Sequence, residues 1–284
     1  MILNKNILSV LFSLFAYGMF VVMDSIAKYL TDFMSIQQIV WGRYFFHFII
    51  TIIIVSIFRI KINLKQNYNI QIFRSVMLIA GSVFMYIAVK NVDLVNIYIV
   101  FFTSPLFLVL FSVVFLKEKI SNLGLILMVL SFFSIVYSLG KPKDFFSIFM
   151  IFPLAMAISF ALYQFFTKKI SNNRDPFVAV FYSGLLGSVF FSIVLYLDRS
   201  IFVNDFWIYL LLMGSIGFVS HFLLVLAIQY SDVSFVSHFQ YSQLVWASLI
   251  NILIFNIDLS YQKIIGIILI ILFGILFVRT ELKN

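Results

Sequence analysis

Two residues of opposite charge lie inside the first two long apolar runs of this sequence. Asp24 falls near the end of the first run, and Arg43 falls within the second. Measured at a helical rise of about 1.5 Å per residue from the turn between the runs, both lie about 9–12 Å from that turn. A charge inside a membrane helix costs several kcal/mol unless it is paired or hydrated, so it often marks a functional position. The pair could clamp two helices together, or it could contact a ligand or a coupling ion.

A second set of polar residues interrupts two later apolar runs near their middles. Ser104 precedes Pro105 in one run, and Gln240 and Gln243 lie in the other. Proline removes a backbone hydrogen bond and frees a carbonyl, which suits a helix that lines a cavity. An amide in hydrocarbon needs a hydrogen-bond partner, and a polar ligand could supply it. We predict a binding site here, although each aromatic candidate could equally be a packing residue; the further candidates are Phe102, Tyr163, Gln164, Tyr241 and Trp246.

Histidine is the residue type that titrates closest to neutral pH, and two of the three histidines lie in apolar runs of the second half. His221 and His238 are candidates for carrying a coupling proton, with the alternative that a neighbouring hydroxyl or carbonyl satisfies each ring. The sequence has no cysteine and no close cluster of histidine with carboxylates. We therefore predict no metal site and no cofactor.

Long apolar runs, separated by short polar clusters, carry all of these residues. Charged residues make up 11% of the chain and hydrophobic residues 63%, with a mean hydropathy of +1.13, whereas an ordinary globular domain has roughly 25% charged residues. Each run has about the 20 residues that a helix needs to cross a bilayer, and none alternates as a barrel strand would. The sequence therefore predicts an all-α polytopic membrane protein whose ten transmembrane helices lie at about residues 7–30, 35–57, 72–91, 94–116, 122–138, 146–169, 177–197, 206–230, 233–255 and 261–279.

Lysine and arginine are unevenly divided between the two ends of these spans. Twelve of them, Arg74 included, lie on the side of the N-terminus, and six lie on the other side. Because basic residues are retained in the cytoplasm, we predict that both termini are cytoplasmic in a bacterial inner membrane. The formal net charge of +8 is then explained by topology and by anionic membrane lipids as partners, and no nucleic-acid partner is predicted.

The two halves of the chain resemble each other at an offset of 139 or 140 residues. Lys28 falls on Lys168, and residues 101–104, which include Thr103 and Ser104, fall on 240–243. Each half has five predicted helices, an odd number, so the second half must cross the membrane in the opposite direction. Two inverted five-helix repeats indicate a secondary transporter whose halves rock around a central site. We divide the chain into repeats at residues 1–140 and 141–284.

The layout and several motifs resemble the EamA-type carriers of the drug/metabolite transporter superfamily. The most specific segment is 88–121, in which Ser104-Pro105-Leu106 is followed by the run LKEKIS at 116–121. The runs DSIAKYL at 24–30 and RYF at 43–45 also resemble the first two helices of that family. The second half departs from the pattern, since Leu244 replaces the proline. The resemblance implies a ten-helix carrier of small metabolites, among which are amino acids, nucleobases, vitamins and S-adenosylmethionine.

These residues predict that the protein is a transporter rather than an enzyme. An Asp/Arg pair, two glutamines and aromatic walls favour a small polar or zwitterionic substrate, such as an amino acid or a related compound, moved by alternating access. The alternative substrates are nucleoside-like compounds or vitamins, such as S-adenosylmethionine, a nucleobase or riboflavin. An intramembrane lipid-modifying enzyme is the alternative from another class, but its usual cluster of carboxylates at one membrane face is missing here.

Small residues recur in the fifth and tenth predicted helices, which contain no charge in their central parts. Gly124, Ser131 and Ser134 lie in one helix, and Gly266 and Gly274 lie in the other. Such faces allow helices to approach closely. We predict that these two helices are scaffold or a possible homodimer contact, away from the substrate.

Overall fold

The computed structural model describes residues 5–92, 94–140, 147–171, 175–198, 205–254 and 259–282, and the regular elements within these ranges are helices. A π-helical turn, Ser112–Leu116, continues α5, and 3₁₀ turns at Ile148–Met150 and Phe239–Tyr241 precede α7 and α11. The α-helices are α1 Lys5–Leu30, α2 Ile36–Ile57, α3 Tyr68–Asn91, α4 Leu94–Phe101, α5 Ser104–Phe111, α6 Asn122–Leu139, α7 Ile151–Lys169, α8 Pro176–Asp198, α9 Trp207–Tyr230, α10 Val233–His238, α11 Ser242–Leu253 and α12 Tyr261–Glu281.

Ten stretches of the described chain have the length of a membrane span. Nine of them are long and apolar enough to cross a bilayer. The fourth of these consists of α4, α5 and the π turn together. The tenth stretch, residues 233–253, consists of α10, a 3₁₀ turn and α11, each too short to span alone. This confirms the predicted all-α fold class with ten transmembrane helices. Only α3 begins clearly earlier than predicted, at Tyr68. The proposed repeat boundary adjoins residues 141–146, which lie outside the described ranges.

Helix starts repeat between the halves at the predicted offset. The Ser35 hydroxyl caps α2 by accepting from the Gln38 N–H, and 140 residues later an Asp175 carboxylate oxygen accepts from the Phe177 N–H at 2.9 Å. Likewise Ser121 caps α6 and, 139 residues later, Ser260 caps α12. A side-chain oxygen at this position satisfies an N–H that the helix leaves free, which is why these residues begin helices.

The most extensive helix contacts join one half of the chain to the other. Helix α1 packs on α9 and α3 packs on α7, and these two pairs exchange when the halves are exchanged. Exchanging the halves also converts the contact of α1 with α11 into that of α7 with α5. The contacts of α2 with α8 and of α6 with α12 are unchanged by the exchange. The packing therefore has the pseudo-twofold symmetry of two inverted repeats, and the halves interlock.

Both central breaks occur at equivalent positions. Helix α4 ends before Thr103, whose hydroxyl donates to the Val100 carbonyl at 2.6 Å, and in the second half the Ser242 hydroxyl donates to the Phe239 carbonyl at 2.7 Å. A hydroxyl that bonds a carbonyl of the preceding turn competes with the helical hydrogen bonds and bends the helix. The ninth span is therefore interrupted although Leu244 replaces the proline of the first half.

Glycines bring the helices around the predicted charged site into close contact. A Cβ atom at Gly214 of α9 would lie 2.3 Å from the Phe46 Cβ and 2.8 Å from the His47 backbone nitrogen. Only a glycine allows α2 and α9 to approach this closely. The approach places Arg43 and His47 of α2 beside His221 of α9.

The small residues of α6 and α12 face each other inside the chain. A Cβ at Gly266 would lie 2.5 Å from the Ser138 Cβ, and Ser131 and Ser134 are buried. The opposite faces expose large apolar residues such as Phe133 and Ile268. A homodimer through these helices would use those outward faces; it stays a prediction, which the mass of the purified particle would test.

Candidate functional site

Asp24 and Arg43 lie on neighbouring helices but form no ion pair. The side chain of Asp24 is exposed on α1, and that of Arg43 is half-buried on α2, within electrostatic range of Asp24. In the part of the chain that the structure describes, the one ion pair within 4.0 Å joins Lys168 to Asp232. The two opposite charges therefore do not clamp α1 to α2 directly.

A chain of polar contacts runs from Arg43 through the centre of the molecule. The Arg43 Nη2 lies 3.3 Å from the His221 Nε2, and the His221 Nδ1 lies 3.0 Å from the Tyr163 hydroxyl. The Arg74 guanidinium carbon then lies 5.0 Å from the centre of the Tyr163 ring, close enough for a cation–π contact. Three predicted site residues from α2, α7 and α9 are thus brought together.

Arg74 belongs to this centre, although the sequence suggested only that it counts among the basic residues on the side of the N-terminus. Its side chain is fully buried and donates to the Thr167 hydroxyl, the Ser183 hydroxyl at 2.9 Å and the Ala179 carbonyl. Arg74 is the seventh residue of α3, which begins at Tyr68, so its backbone lies about 9 Å along the helix from that start. The structure gives Arg74 no carboxylate partner among the described residues.

Gln164 is also central and has a partner that the sequence did not indicate. The Tyr17 hydroxyl donates to the Gln164 Oε1 at 3.1 Å, and both side chains are fully buried. The Gln164 Nε2 has no hydrogen-bond partner. Tyr17 went unnoticed because a tyrosine in an apolar run carries no signal that distinguishes it from packing residues.

The broken spans carry the second group of predicted residues. Both amide atoms of Gln240 and the Ser104 hydroxyl are buried without a hydrogen-bond partner. Phe102 and Tyr241 pack in a hydrophobic cluster with Met128, Ile135 and Ile270, and their ring centres lie 6.3 Å apart. In this conformation these two rings are packing groups, and their contact with a substrate stays a prediction.

Gln243 and Trp246 lie on the face of α11 that is turned to α1. A Cβ at Gly18 of α1 would lie 3.0 Å from the Trp246 indole, and Gln243 lies one helical turn before Trp246. The Gln243 side chain is 8% exposed, whereas that of Trp246 is half-buried. Helix α1 therefore has Gln243 and Trp246 on one side and the Arg43 network on the other.

His238 is separate from the Arg43 network. Its ring stacks on Phe277 of α12 at 4.1 Å between ring centres, and neither nitrogen has a hydrogen-bond partner. No charged side chain contacts it among the residues that the structure describes. The predicted role of His238 in proton coupling therefore has no support from a contact with a charged side chain.

The LKEKIS run at 116–121 lies at the face of the protein that carries Asn6 and Glu281, which we call the N-terminal face. Glu118 caps α10 of the other half, since its carboxylate accepts from the Val233 N–H at 3.0 Å and the Ser234 N–H at 2.9 Å. The Ser121 hydroxyl donates to Glu281 at 2.5 Å. These bonds tie the ends of the fourth, ninth and tenth spans together.

A cavity of about 610 Å³ opens on this face between the tied helix ends. Its lining includes Asn6, Lys119, Ser231, Asp232 and Glu281. Asp24 lies 18 residues beyond Asn6 along α1, which is about 27 Å at the helical rise. The cavity therefore does not contain the predicted substrate residues.

Replacing Glu118 with alanine should lower the free energy of unfolding by about 1–2 kcal/mol, because α10 loses the acceptors of its first N–H groups. Thermal unfolding of the purified protein measures the change. Lys119→Ala is the matched control, since Lys119 is an exposed neighbour. Equal melting temperatures for Glu118→Ala and Lys119→Ala would contradict the capping role.

Acidic residues do not converge into a catalytic or metal centre in the described ranges. No three His, Cys, Asp or Glu side chains there come together as metal ligands would. Glu118, Asp232 and Glu281 lie on the N-terminal face, and Asp24 lies toward the other end of α1. The three carboxylates on the N-terminal face already have partners within the protein: Glu118 caps α10, Asp232 pairs with Lys168 and Glu281 accepts from Ser121.

Three comparisons with known proteins agree with this architecture. The EamA-like transporter family matches twice, at residues 4–140 and 146–280. The "S-adenosylmethionine uptake transporter" of Rickettsia bellii (strain RML369-C) is 25% identical over 262 residues, which cover 92% of this chain and 89% of that protein. The protein of the same name from Rickettsia conorii (strain ATCC VR-613 / Malish 7) is 24% identical, with 92% and 88% coverage. One crystal structure superposes with a TM-score of 0.83 over 98% of both chains at 14% identity, which shows the fold alone.

Proposed function

We propose that this chain, which belongs to the EamA-like transporter family, is a secondary transporter that moves a small zwitterionic metabolite with an α-amino acid group by alternating access. The observation that carries the proposal is a pair of opposite charges, Asp24 and Arg43, that lie within electrostatic range on the consecutive helices α1 and α2 but form no ion pair. A zwitterion can bridge two such groups. Its carboxylate would bind the planar donor fork of Arg43, and its cationic group would bind Asp24.

The balance of charges also favours a substrate with a carboxylate. Arg43 and Arg74 are the cations of the described centre, and Asp24 is the anion within range of Arg43. This leaves one positive charge in excess. A substrate carboxylate would offset this excess beside Arg43, and the ammonium group of the same substrate would face Asp24. An uncharged nucleobase or riboflavin offers neither group, so the charges favour an amino acid or an amino acid derivative.

S-adenosylmethionine is the first compound to test, because the two Rickettsia relatives are named for its uptake. It carries an α-amino acid group, a sulfonium cation and an adenine ring. Trp246 could stack on the adenine, and the Gln243 amide could bond its edge, since both lie on the side of α11 that faces α1. The net positive charge of S-adenosylmethionine matches the site less well than a neutral zwitterion does, so amino acids remain the first alternative.

Binding of a ligand panel to the purified protein tests the proposal. We expect S-adenosylmethionine, or else a simple amino acid such as methionine, to raise the unfolding temperature, since a ligand at about 100 times its Kd stabilises by about 2.7 kcal/mol. S-adenosylhomocysteine lacks the sulfonium charge and isolates its contribution. Stabilisation by adenosine or riboflavin, with none by any compound that has an α-amino acid group, would overturn the assignment. Uptake into proteoliposomes then establishes transport.

Both ends of the described chain lie on the N-terminal face, because Asn6 bonds Ser231 and Glu281 bonds Ser121 across the helix ends. We place this face in the cytoplasm of a bacterial inner membrane, since it carries the larger share of basic residues even without Arg74. A reporter that is active only outside the cytoplasm can be fused after Lys283. Activity of this fusion would contradict the proposed orientation.

A further inference from the structure

His221 of α9 is held between a cation and a hydroxyl deep in the protein. Its Nε2 lies 3.3 Å from the Arg43 Nη2, and its Nδ1 lies 3.0 Å from the Tyr163 hydroxyl oxygen. The ring is 1% exposed and packs edge-on against Phe20 of α1. Each ring nitrogen of His221 therefore faces one polar side chain, Arg43 at Nε2 and Tyr163 at Nδ1.

These contacts determine which nitrogen of His221 carries the proton. A guanidinium has only donors, so the Nε2 that faces Arg43 must be an acceptor without a hydrogen. In a neutral imidazole the hydrogen is then on Nδ1, which donates to the Tyr163 hydroxyl oxygen. A protonated ring would point an N–H at Arg43 and would add a like charge beside it. The contact with Arg43 and protonation of His221 are therefore mutually exclusive.

The other groups around His221 provide no negative charge that would favour protonation of its ring. From α2 the His47 ring lies 5.8 Å away, and from α3 the Arg74 guanidinium lies over the Tyr163 ring. No carboxylate among the described residues contacts the imidazole. Other titratable groups of the packed helices have partners elsewhere: Tyr17 bonds Gln164, Tyr44 bonds Ser82, Lys168 pairs with Asp232, Tyr182 bonds the Leu64 carbonyl and His238 stacks on Phe277. Asp24 is within electrostatic range of Arg43.

We propose that His221 is the coupling-proton site of this transporter and that Arg43 is the group that opens and closes it. When the carboxylate of a substrate draws the Arg43 guanidinium away, Nε2 loses its donor and can form an N–H bond with a proton from water. The bound carboxylate offsets the charge of Arg43 at the same time. When the substrate leaves, Arg43 returns to Nε2 and the N–H bond breaks as water on the side of release accepts the proton, so one proton moves with each substrate. The proposal rests on the proposed function for the carboxylate, but the tautomer does not.

Nitrogen-15 NMR of histidine-labelled protein tests the tautomer and the competition without any substrate. The chain has three histidines, and His47→Gln and His238→Gln assign two of them, which leaves His221 by elimination. We expect His221 to carry its hydrogen on Nδ1 in the wild type. In Arg43→Gln its signals should titrate at least about one pH unit higher, a tenfold gain in proton affinity. Val219→Ala, an exposed position on the same helix, should leave the titration unchanged. A hydrogen on Nε2, or an unchanged titration in Arg43→Gln, would overturn the proposal.

Proton uptake on ligand binding provides the second test, measured with a pH indicator in weak buffer. On addition of S-adenosylmethionine or methionine, the wild type should take up about one proton per bound ligand. In His221→Gln the number of protons taken up per bound ligand should fall to about zero, with ligand binding measured in the same sample. Binding without proton uptake in the wild type would reject the coupling and leave the proposed function intact. If no compound with an α-amino acid group binds, the proposed substrate is wrong, and the NMR result still decides the tautomer.

Discussion

Arg43→Gln is expected to weaken the binding of S-adenosylmethionine or of an amino acid by at least about 30-fold while the protein remains folded. Removing one partner of a charge-assisted contact in a desolvated site costs about 2 kcal/mol or more, which corresponds to that factor. The fold should survive because the Arg43 guanidinium contacts the His221 ring and no carboxylate within ion-pair distance. Asp24→Asn should reduce affinity for the same ligands, since the exposed carboxylate is the anion of the pair.

Isothermal titration of the purified variants measures these affinities, and thermal unfolding reports stability in parallel. Arg279→Gln provides the matched control, because it removes one positive charge from an exposed position on the N-terminal face. Full affinity in Arg43→Gln with a lowered melting temperature would show that Arg43 only holds helices together. An unchanged affinity and stability in both Asp24→Asn and Arg43→Gln would remove these residues from the site.

Gln243→Leu is expected to abolish transport while stability stays the same or rises. The side chain is 8% exposed on the face of α11 next to α1, beside the half-buried Trp246. An apolar residue suits this environment better than an amide, but it cannot hydrogen-bond a polar substrate. Gln240→Leu should be the more stabilising change, by about 1–3 kcal/mol, because both amide atoms of Gln240 are buried without partners.

Uptake of labelled S-adenosylmethionine or methionine into proteoliposomes measures the loss of transport, and thermal unfolding measures stability. Gln229→Leu has a comparable change of side chain near the end of α9 and serves as the control for general effects on insertion. If Gln240→Leu and Gln243→Leu both transport at the rate of the wild type, the central site between the broken spans is wrong. The substrate residues would then be those around Asp24 and Arg43 alone.

The sequence alone determined the spans, the inverted repeat and the position of the break at Pro105. These features depend on composition within about 20 residues, on short caps such as Ser121 and on hydroxyl or proline residues, so local patterns predict them well. The equivalence of Thr103 and Ser242 at an offset of 139 is visible in the sequence once the repeat is known. The importance of Glu118 was also visible as a motif, although not the bond that it makes.

Only the tertiary structure decided which polar side chains meet. Tyr163 and His221 are 58 residues apart, and Arg43 and His221 are 178 apart; hydropathy carries no information on which face of one helix meets which face of another. The close approach at Gly214 sets that meeting for α2 and α9. The burial of Arg74 was not visible in the sequence, because its hydrogen-bond partners Thr167, Ala179 and Ser183 lie more than 90 residues away along the chain. Glu118 reaches across to the other half because the repeats interlock, and their interlocking is a property of packed surfaces that no single segment of the sequence contains.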